Sequence, residues 1–423
     1  MHGSETTLEN TAVLSGKSAM GFAKERRASL IGAIFLMATS AIGPGFITQT
    51  ATFTATMGAA FAFGILASIL IDFVIQLNIW RIVTLTQMRA SDIANKAIPG
   101  SGYLLAVLVI FGGLVFNVGN IAGAGLGLNA LFGMDPKLGG ALSALAAIAI
   151  FMSRRAGVAM DKIIIFLGLL MIGLTVFVMF KSNPPVGEAL RQTVMPDNIS
   201  FAMITTIVGG TVGGYITYAG AHRLLDSGSA GPEHVQGVTK AAINGILVTG
   251  VMRYVLFLAI LGVVASGVVL DISGKTANPA AQAFQSAAGG FGLRAFGLIL
   301  WAAGITSVIG AAYTSISFTT VFKKDMNMRM RGLSTVVFIA ISLLVFLMMG
   351  TAPAALLVFA GGFNGLILPI GLTIFMYVAF FRRDLMGNYD YPTWLAALGA
   401  LVCALTWYMG AVSIKPIFSF LGM

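Results

Sequence analysis

Apolar residues in this chain alternate with polar ones at neither the strand nor the helix period; they continue for about twenty residues at a time, enough helix to cross roughly 30 Å of hydrocarbon. Eleven spans are predicted, at 29–57, 59–80, 102–133, 138–152, 162–180, 200–221, 239–270, 291–322, 333–350, 353–380 and 392–413. The fourth is short, and the third, seventh and eighth are long. Residues 1–28 are polar and end in Lys24, Arg26 and Arg27. A cleaved signal peptide has a shorter apolar core with a small-residue cleavage site close behind, so 1–28 is expected to be a cytoplasmic leader.

Composition agrees. Of 423 residues 57% are apolar and 9% charged, where a soluble domain carries about a quarter charged. Mean hydropathy is +0.93. There is too little charge to coat a water-facing surface of this size, which excludes an ordinary soluble enzyme and a disordered chain. Cys403 is the single cysteine, and His2, His222 and His234 are the only histidines, so neither a disulfide framework nor a soluble-type zinc site is expected. No constellation of nucleophile and base is visible, and no catalytic role or cofactor is expected.

Placing the N-terminus inside puts eighteen of the 25 Lys and Arg in inside loops. Six lie outside (Lys137, Lys181, Arg191, Lys275, Arg294 and Lys415), and Arg253 falls within a span. The positive-inside rule then predicts a cell (inner or plasma) membrane protein, N-terminus cytoplasmic and C-terminus outside. The same bias accounts for the net charge of +10 by proximity to an anionic leaflet, with no nucleic-acid partner.

Two spans carry interruptions. The first reads Ala41-Ile42-Gly43-Pro44-Gly45-Phe46, the sixth Gly209-Gly210-Thr211-Val212-Gly213-Gly214-Tyr215. Proline removes a ladder hydrogen bond and glycine adds backbone freedom, so Gly-Pro-Gly breaks a helix; the glycines of span 6 are weaker breakers that also serve close packing. The interrupted spans open two five-span halves, 29–180 and 200–380, with 392–413 outside the repeat. Corresponding breaks in two halves of odd span number point to an inverted-repeat transporter with a small-molecule site at the midplane.

These segments resemble the natural resistance-associated macrophage protein (NRAMP) superfamily of divalent-metal transporters, over most of the chain. Gly43-Pro44-Gly45-Phe46 stands where that family has Asp-Pro-Gly-Asn, and Gly210-Thr211-Val212-Gly213-Gly214-Tyr215 where it has Ala-Thr-Val-Met-Pro-His. Residues 127–133 resemble the end of its span 3, residues 302–310 its span 8, and Leu356-Leu357-Val358 with Leu368-Pro369 its span 10. The resemblance implies an all-α, LeuT-like fold with helices 1 and 6 unwound at mid-membrane.

The departures bear on function. Gly43, Phe46 and Gly213 replace the family's ion-binding Asp, Asn and Met, and Gly361 aligns with a Gln of span 10. Asn117 and Asn120 replace the acidic pair of span 3, and Tyr215 the His of span 6. Every side-chain metal donor is lost, and backbone carbonyls without counter-charge do not offset dehydration of a divalent ion. Glycine at 43, 213 and 361 is expected to enlarge a pocket lined by residues 43–46, 213–215, Asn117, Asn120, Thr306 and Ser307. The expected cargo is a small organic solute. The sequence is similar to a bacterial Gly-Pro-Gly-Phe subgroup found with genes for 5-oxoproline breakdown, which implies a cyclic amide carboxylate. Alternatives are a Mg²⁺ or Mn²⁺ carrier and a non-transporting sensor; Asn117 and Asn120 also read as interhelical hydrogen-bond partners, Phe46 and Tyr215 as packing. Asp72, deep in span 2, is a candidate coupling residue or a structural partner, as is Arg253. His222 and Asp226 read as an interfacial cap at the end of span 6.

Overall fold

The computed structural model describes residues 30–419 apart from 31, 35–36, 39, 274–276, 325 and 350–352; the leader expected at 1–28 lies outside the described residues. The chain is helical, with no strand among the described residues. Helical positions within 30–41 form α1. There follow α2 (Pro44–Met57), α3 (Phe61–Thr86), α4 (Ala90–Ala97), α5 (Ser101–Phe132), α6 (Pro136–Met152), α7 (Arg154–Ser182) and α8 (Val186–Val194). The second half contains α9 (Phe201–Val212), α10 (Ile216–Asp226), α11 (Val235–Ala265), α12 (Pro279–Ser317), α13 (Met328–Met348) and α14 (Pro353–Phe381), and α15 (Thr393–Ser419) ends the chain.

Among the described residues seven stretches are long and apolar enough to cross a membrane, an eighth bends by 108° between Leu169–Ser182 and Val186–Val194, and Pro136–Met152 is a shorter apolar helix. Eleven passes result when the Pro44–Thr86 stretch is divided at Gly58, where φ is +56°, and the broken pairs α1–α2 and α9–α10 count once each. Two amphipathic elements were absent from the sequence reading, because both are shorter than a span. They are α4 and α8; α8 exposes Val186, Leu190 and Val194 and buries Ala189 and Gln192. The eighth pass starts earlier than the expected 291, at Pro279, with a backbone break at Gly289.

Four helix starts are capped by side chains. Asp135 accepts from Lys137 N and Leu138 N at the head of α6, Ser200 from Met203 N at α9, Asn278 from Ala281 N at α12, and Asn327 from Met330 N at α13. Such oxygens satisfy N–H groups that have no partner inside the helix. The helices that begin inside the protein, α2 and α10, have no side-chain cap, and neither do α4, α5, α8 and α11.

Packing follows from the small residues. Helices α5, α6, α12 and α13 pack on one another; α3, α9, α10 and α11 form a second group, and α14 touches α2, α5 and α9. At Gly127 a Cβ would lie 2.5 Å from Trp301 N, and at Gly304 2.8 Å from the Ala124 Cα, so α5 and α12 meet backbone to backbone.

Candidate functional site

The break in the first pass is tighter than the expected 43–46. Helix α1 runs to Ala41, Ile42 and Gly43 are non-helical, and Pro44 is already the first residue of α2. Pro44, Gly45 and Phe46 are therefore helical, a correction to the sequence reading. Proline suits a first helical position because the N–H it lacks has no intrahelical partner there. The first N–H returned to the helix ladder is that of Ile47, which donates to Gly43 O at 3.3 Å. The N–H groups of Gly45 and Phe46 head α2 with no side-chain cap, at the positive end of its dipole.

Three residues of α5 face this helix start. A Cβ at Gly123 would lie 2.2 Å from Pro44 Cβ, and the Phe116 ring is 4.0 Å from the Cβ position of Gly45. Asn120 lies between them on the same face, four residues after one and three before the other. It is 3% exposed, and its Nδ2 has no hydrogen-bond partner.

The second break spans Gly213, Gly214 and Tyr215, as expected. Gly213 N reaches back to Val208 O and Gly209 O, and Ile216 N to Gly213 O. The Thr217 hydroxyl crosses the gap to donate to Val212 O. Gly214 has φ +57°, and a Cβ there would lie 2.0 Å from Asn364 Oδ1. Gly214→Ala is expected to lower the melting temperature of the detergent-solubilised protein, since the left-handed backbone alone costs roughly 1–2 kcal/mol with a side chain present. An unchanged melting curve would show that the turn relaxes.

The two breaks lie against each other. The Tyr215 hydroxyl lies beside Ser40, just ahead of the first break, and beside Asn120. Its ring meets Phe116 edge to face, centroids 5.5 Å apart. Ser307 of α12 approaches from the other side, its Oγ 2.8 Å from the Cβ position of Gly43. Ser40, Gly43, Asn120, Tyr215 and Ser307 thus form a buried, uncharged, hydrogen-bonding constellation.

Other expected residues lie elsewhere. Asn117 turns toward α13 and donates to Ser342 Oγ at 3.2 Å. Thr306 donates to Ala303 O of its own helix. Phe46 sits in the apolar core formed with Ile47, Ala51, Phe257 and Ile299. The expected enlargement of the pocket by glycines is also corrected, because neighbouring atoms refill the space. Gly213 faces Gly209 O and Asn364 O at 2.6 and 2.9 Å from its Cβ position, and Gly361 faces Gln49 Nε2 at 2.1 Å. Gln49 was not foreseen as a site residue. The available signal was an uncompensated amide four residues after Gly45 in an apolar span.

Asp72 and Arg253 pair across α3 and α11, Nη2 to Oδ2 at 2.9 Å, both fully buried. Gln76 donates to Asp72 Oδ1 at 2.5 Å and Arg253 Nη1 to Ser68 Oγ at 3.3 Å. Among the described residues no other Asp, Glu, Lys or Arg is buried. At the far end of α10, His222 Nε2 accepts from Ala90 N, the first N–H of α4, while Nδ1 contacts Ser317 Oγ at 2.7 Å. Asp226 is held by Arg89 and Tyr313. Both residues tie helix ends together.

Among the described residues no group of three or more His, Cys, Asp or Glu comes together. A multi-pass helical protein in which two discontinuous helices meet at a buried polar centre belongs to the class of LeuT-like membrane transporters. The chain belongs to the natural resistance-associated macrophage protein-like family, whose model matches residues 34–415. It is 52% identical over 381 residues to the Bacillus subtilis membrane protein YcsG, covering 90% of this chain and 93% of that one. It is 50% identical over 396 residues to a membrane protein of Haemophilus influenzae, covering 94% and 97%. The fold is shared with the Eremococcus coleocola manganese transporter in complex with an aromatic bis-isothiourea substituted compound, at TM-score 0.74 and 16% identity over 95% of this chain and 89% of that one. It is shared too with MhsT in complex with L-phenylalanine, at TM-score 0.63 and 17% identity over 92% and 98%.

Proposed function

We propose that this transporter carries a small organic carboxylate by alternating access, and that divalent metal ions are not its cargo. The observation behind this reading is the uncapped start of α2 at Gly43, with the unpartnered Asn120 Nδ2 beside it. Main-chain N–H groups at a positive helix end, joined by an amide donor, suit a carboxylate. They repel a cation. Tyr215, Ser40 and Ser307 extend the hydrogen-bonding wall without adding charge. A cyclic amide carboxylate such as 5-oxoproline fits this donor-rich, neutral centre.

The fold leaves the cargo open, since one structural neighbour is described as a manganese transporter and another holds L-phenylalanine. One observation favours a metal: the side-chain oxygens of Gln49, Asn117 and Asn364 are buried without partners, and hard cations take oxygen ligands. A partly hydrated Mg²⁺ is the ion such neutral oxygens would suit, but no carboxylate is present among them to supply counter-charge. The orientation consistent with the charge bias is N-terminus cytoplasmic in the cell membrane. Asp72, locked to Arg253, is proposed as a structural residue in place of a coupling one.

Purified protein in proteoliposomes should take up radiolabelled 5-oxoproline against empty-vesicle controls, with no uptake of Mn²⁺ or Mg²⁺. Metal flux without solute flux would reverse the assignment. Saturable ligand binding with no flux would make the protein a sensor.

A further inference from the structure

The donor groups at the first break account for one end of a solute, and Gln49 addresses the other. It lies four residues after Gly45 on the same face of α2, fully buried. Its Nε2 donates to Leu357 O at 3.0 Å, which fixes the amide orientation, because only the NH₂ group can donate to a carbonyl. The oxygen, Oε1, is left without a hydrogen-bond partner.

The amide lies among α2, α9 and α14. Nε2 is 3.7 Å from the Cβ position of Gly45 in α2 and 2.1 Å from that of Gly361 in α14; Oε1 is 2.2 Å from that of Gly210 in α9. Any side chain at 210 or 361 would evict it. A leucine or methionine fills a comparable volume without an unpaired acceptor, so packing alone does not call for glutamine here. Burying an acceptor unpaired costs about 1–3 kcal/mol, which an incoming donor removes. Asn364 shows the same pattern at the second break. Its Nδ2 donates to Gly112 O and Ala360 O, and its Oδ1, beside Gly214, is unpaired.

We infer that Gln49 Oε1 accepts a hydrogen bond from an N–H group of the solute, so that the carrier selects molecules pairing a carboxylate with a nearby N–H donor. This rests on the organic-carboxylate reading above. Donors at Gly45, Phe46 and Asn120 take the carboxylate; the acceptor of Gln49 takes the N–H. A carboxylate with a ring oxygen in place of the N–H would set two lone pairs against each other. It would leave Gln49 unpaired, a penalty the N–H solute escapes.

The test is competition and uptake with isosteric pairs in proteoliposomes: 5-oxoproline against its lactone analogue, and proline against tetrahydrofuran-2-carboxylate. Wild type should prefer the N–H member of at least one pair by about five- to 150-fold, the span that the cost of one unpaired acceptor implies. Gln49→Met should slow uptake and collapse the ratio toward one. Gln49→Glu should retain a preference, since a neutral carboxyl keeps one acceptor and one donor. Equal wild-type uptake of both members of each pair overturns the inference and leaves the carboxylate reading standing. A Gln49→Met carrier with the wild-type ratio overturns it as well. Uptake of Mn²⁺ with no uptake of any of the four carboxylates overturns the underlying reading instead. Where Gln49→Met fails to fold, an equal wild-type ratio still overturns the inference, and the ratio kept by Gln49→Glu tests the residue.

Discussion

A Gly43→Asp carrier is expected to fold and to transport organic carboxylates at least tenfold more slowly. Gly43 has φ −73° and ψ 178°, a backbone open to any residue, and it is the N-cap of α2. Its Cβ position meets only the Ser307 hydroxyl end closely, at 2.8 Å, and a serine side chain can rotate away. Aspartate is among the best N-cap residues and contributes about 1 kcal/mol by accepting from the first free N–H groups. Those are the Gly45 and Phe46 donors assigned to the solute. The substitution therefore blocks the site by satisfying it. It supplies one oxygen ligand and should give no Mn²⁺ uptake. Unchanged solute uptake, or a gain of Mn²⁺ flux, would remove the α2 start from the binding site. Gly213→Met is a poorer probe than its sequence position suggests. Its Cβ would meet the backbone of Gly209 and Asn364, so lost activity there would report damaged packing.

The second large effect is on stability. Asp72→Asn should destabilise the protein by about 3–5 kcal/mol, because it leaves the Arg253 guanidinium charged, buried and unpaired. Replacing both partners, with Asp72→Leu and Arg253→Met, should recover most of the loss, since apolar groups of similar volume carry no desolvation cost. Thermal unfolding in detergent micelles measures both. Transport by the double variant distinguishes the roles: a structural pair leaves uptake near wild type, whereas a coupling role for Asp72 abolishes concentrative uptake even in the stable variant.

Much of this architecture was legible in the residue order. The apolar runs, the glycine and proline breaks and the basic loops together specify passes and interruptions, because bilayer thickness and backbone hydrogen bonding leave a helix few alternatives. Gly43 and Tyr215 stand at the breaks in the sequence, Asn120 and Ser307 were expected near them from the family resemblance, and the structure places the four near one another. Asn117 was not separable from Asn120 by spacing. Three residues along a helix turn the side chain by about 60°, enough for one to face Tyr215 and the other Ser342.

The sequence by itself determined that this is a membrane protein with discontinuous first and sixth passes, and which uncharged residues stand at the breaks. Those properties depend on local backbone chemistry and on which side chains exist. Only the tertiary structure decided what became of the space beside the glycines. A missing side chain leaves a cavity or a close contact according to what packs against it, and here Ser307, Gln49 and Asn364 arrive from helices hundreds of residues apart in some cases. The pairing of Asp72 with Arg253 was settled in the same way. Each is a costly lone charge in sequence, and only the apposition of α3 and α11 turns the two into a closed ion pair.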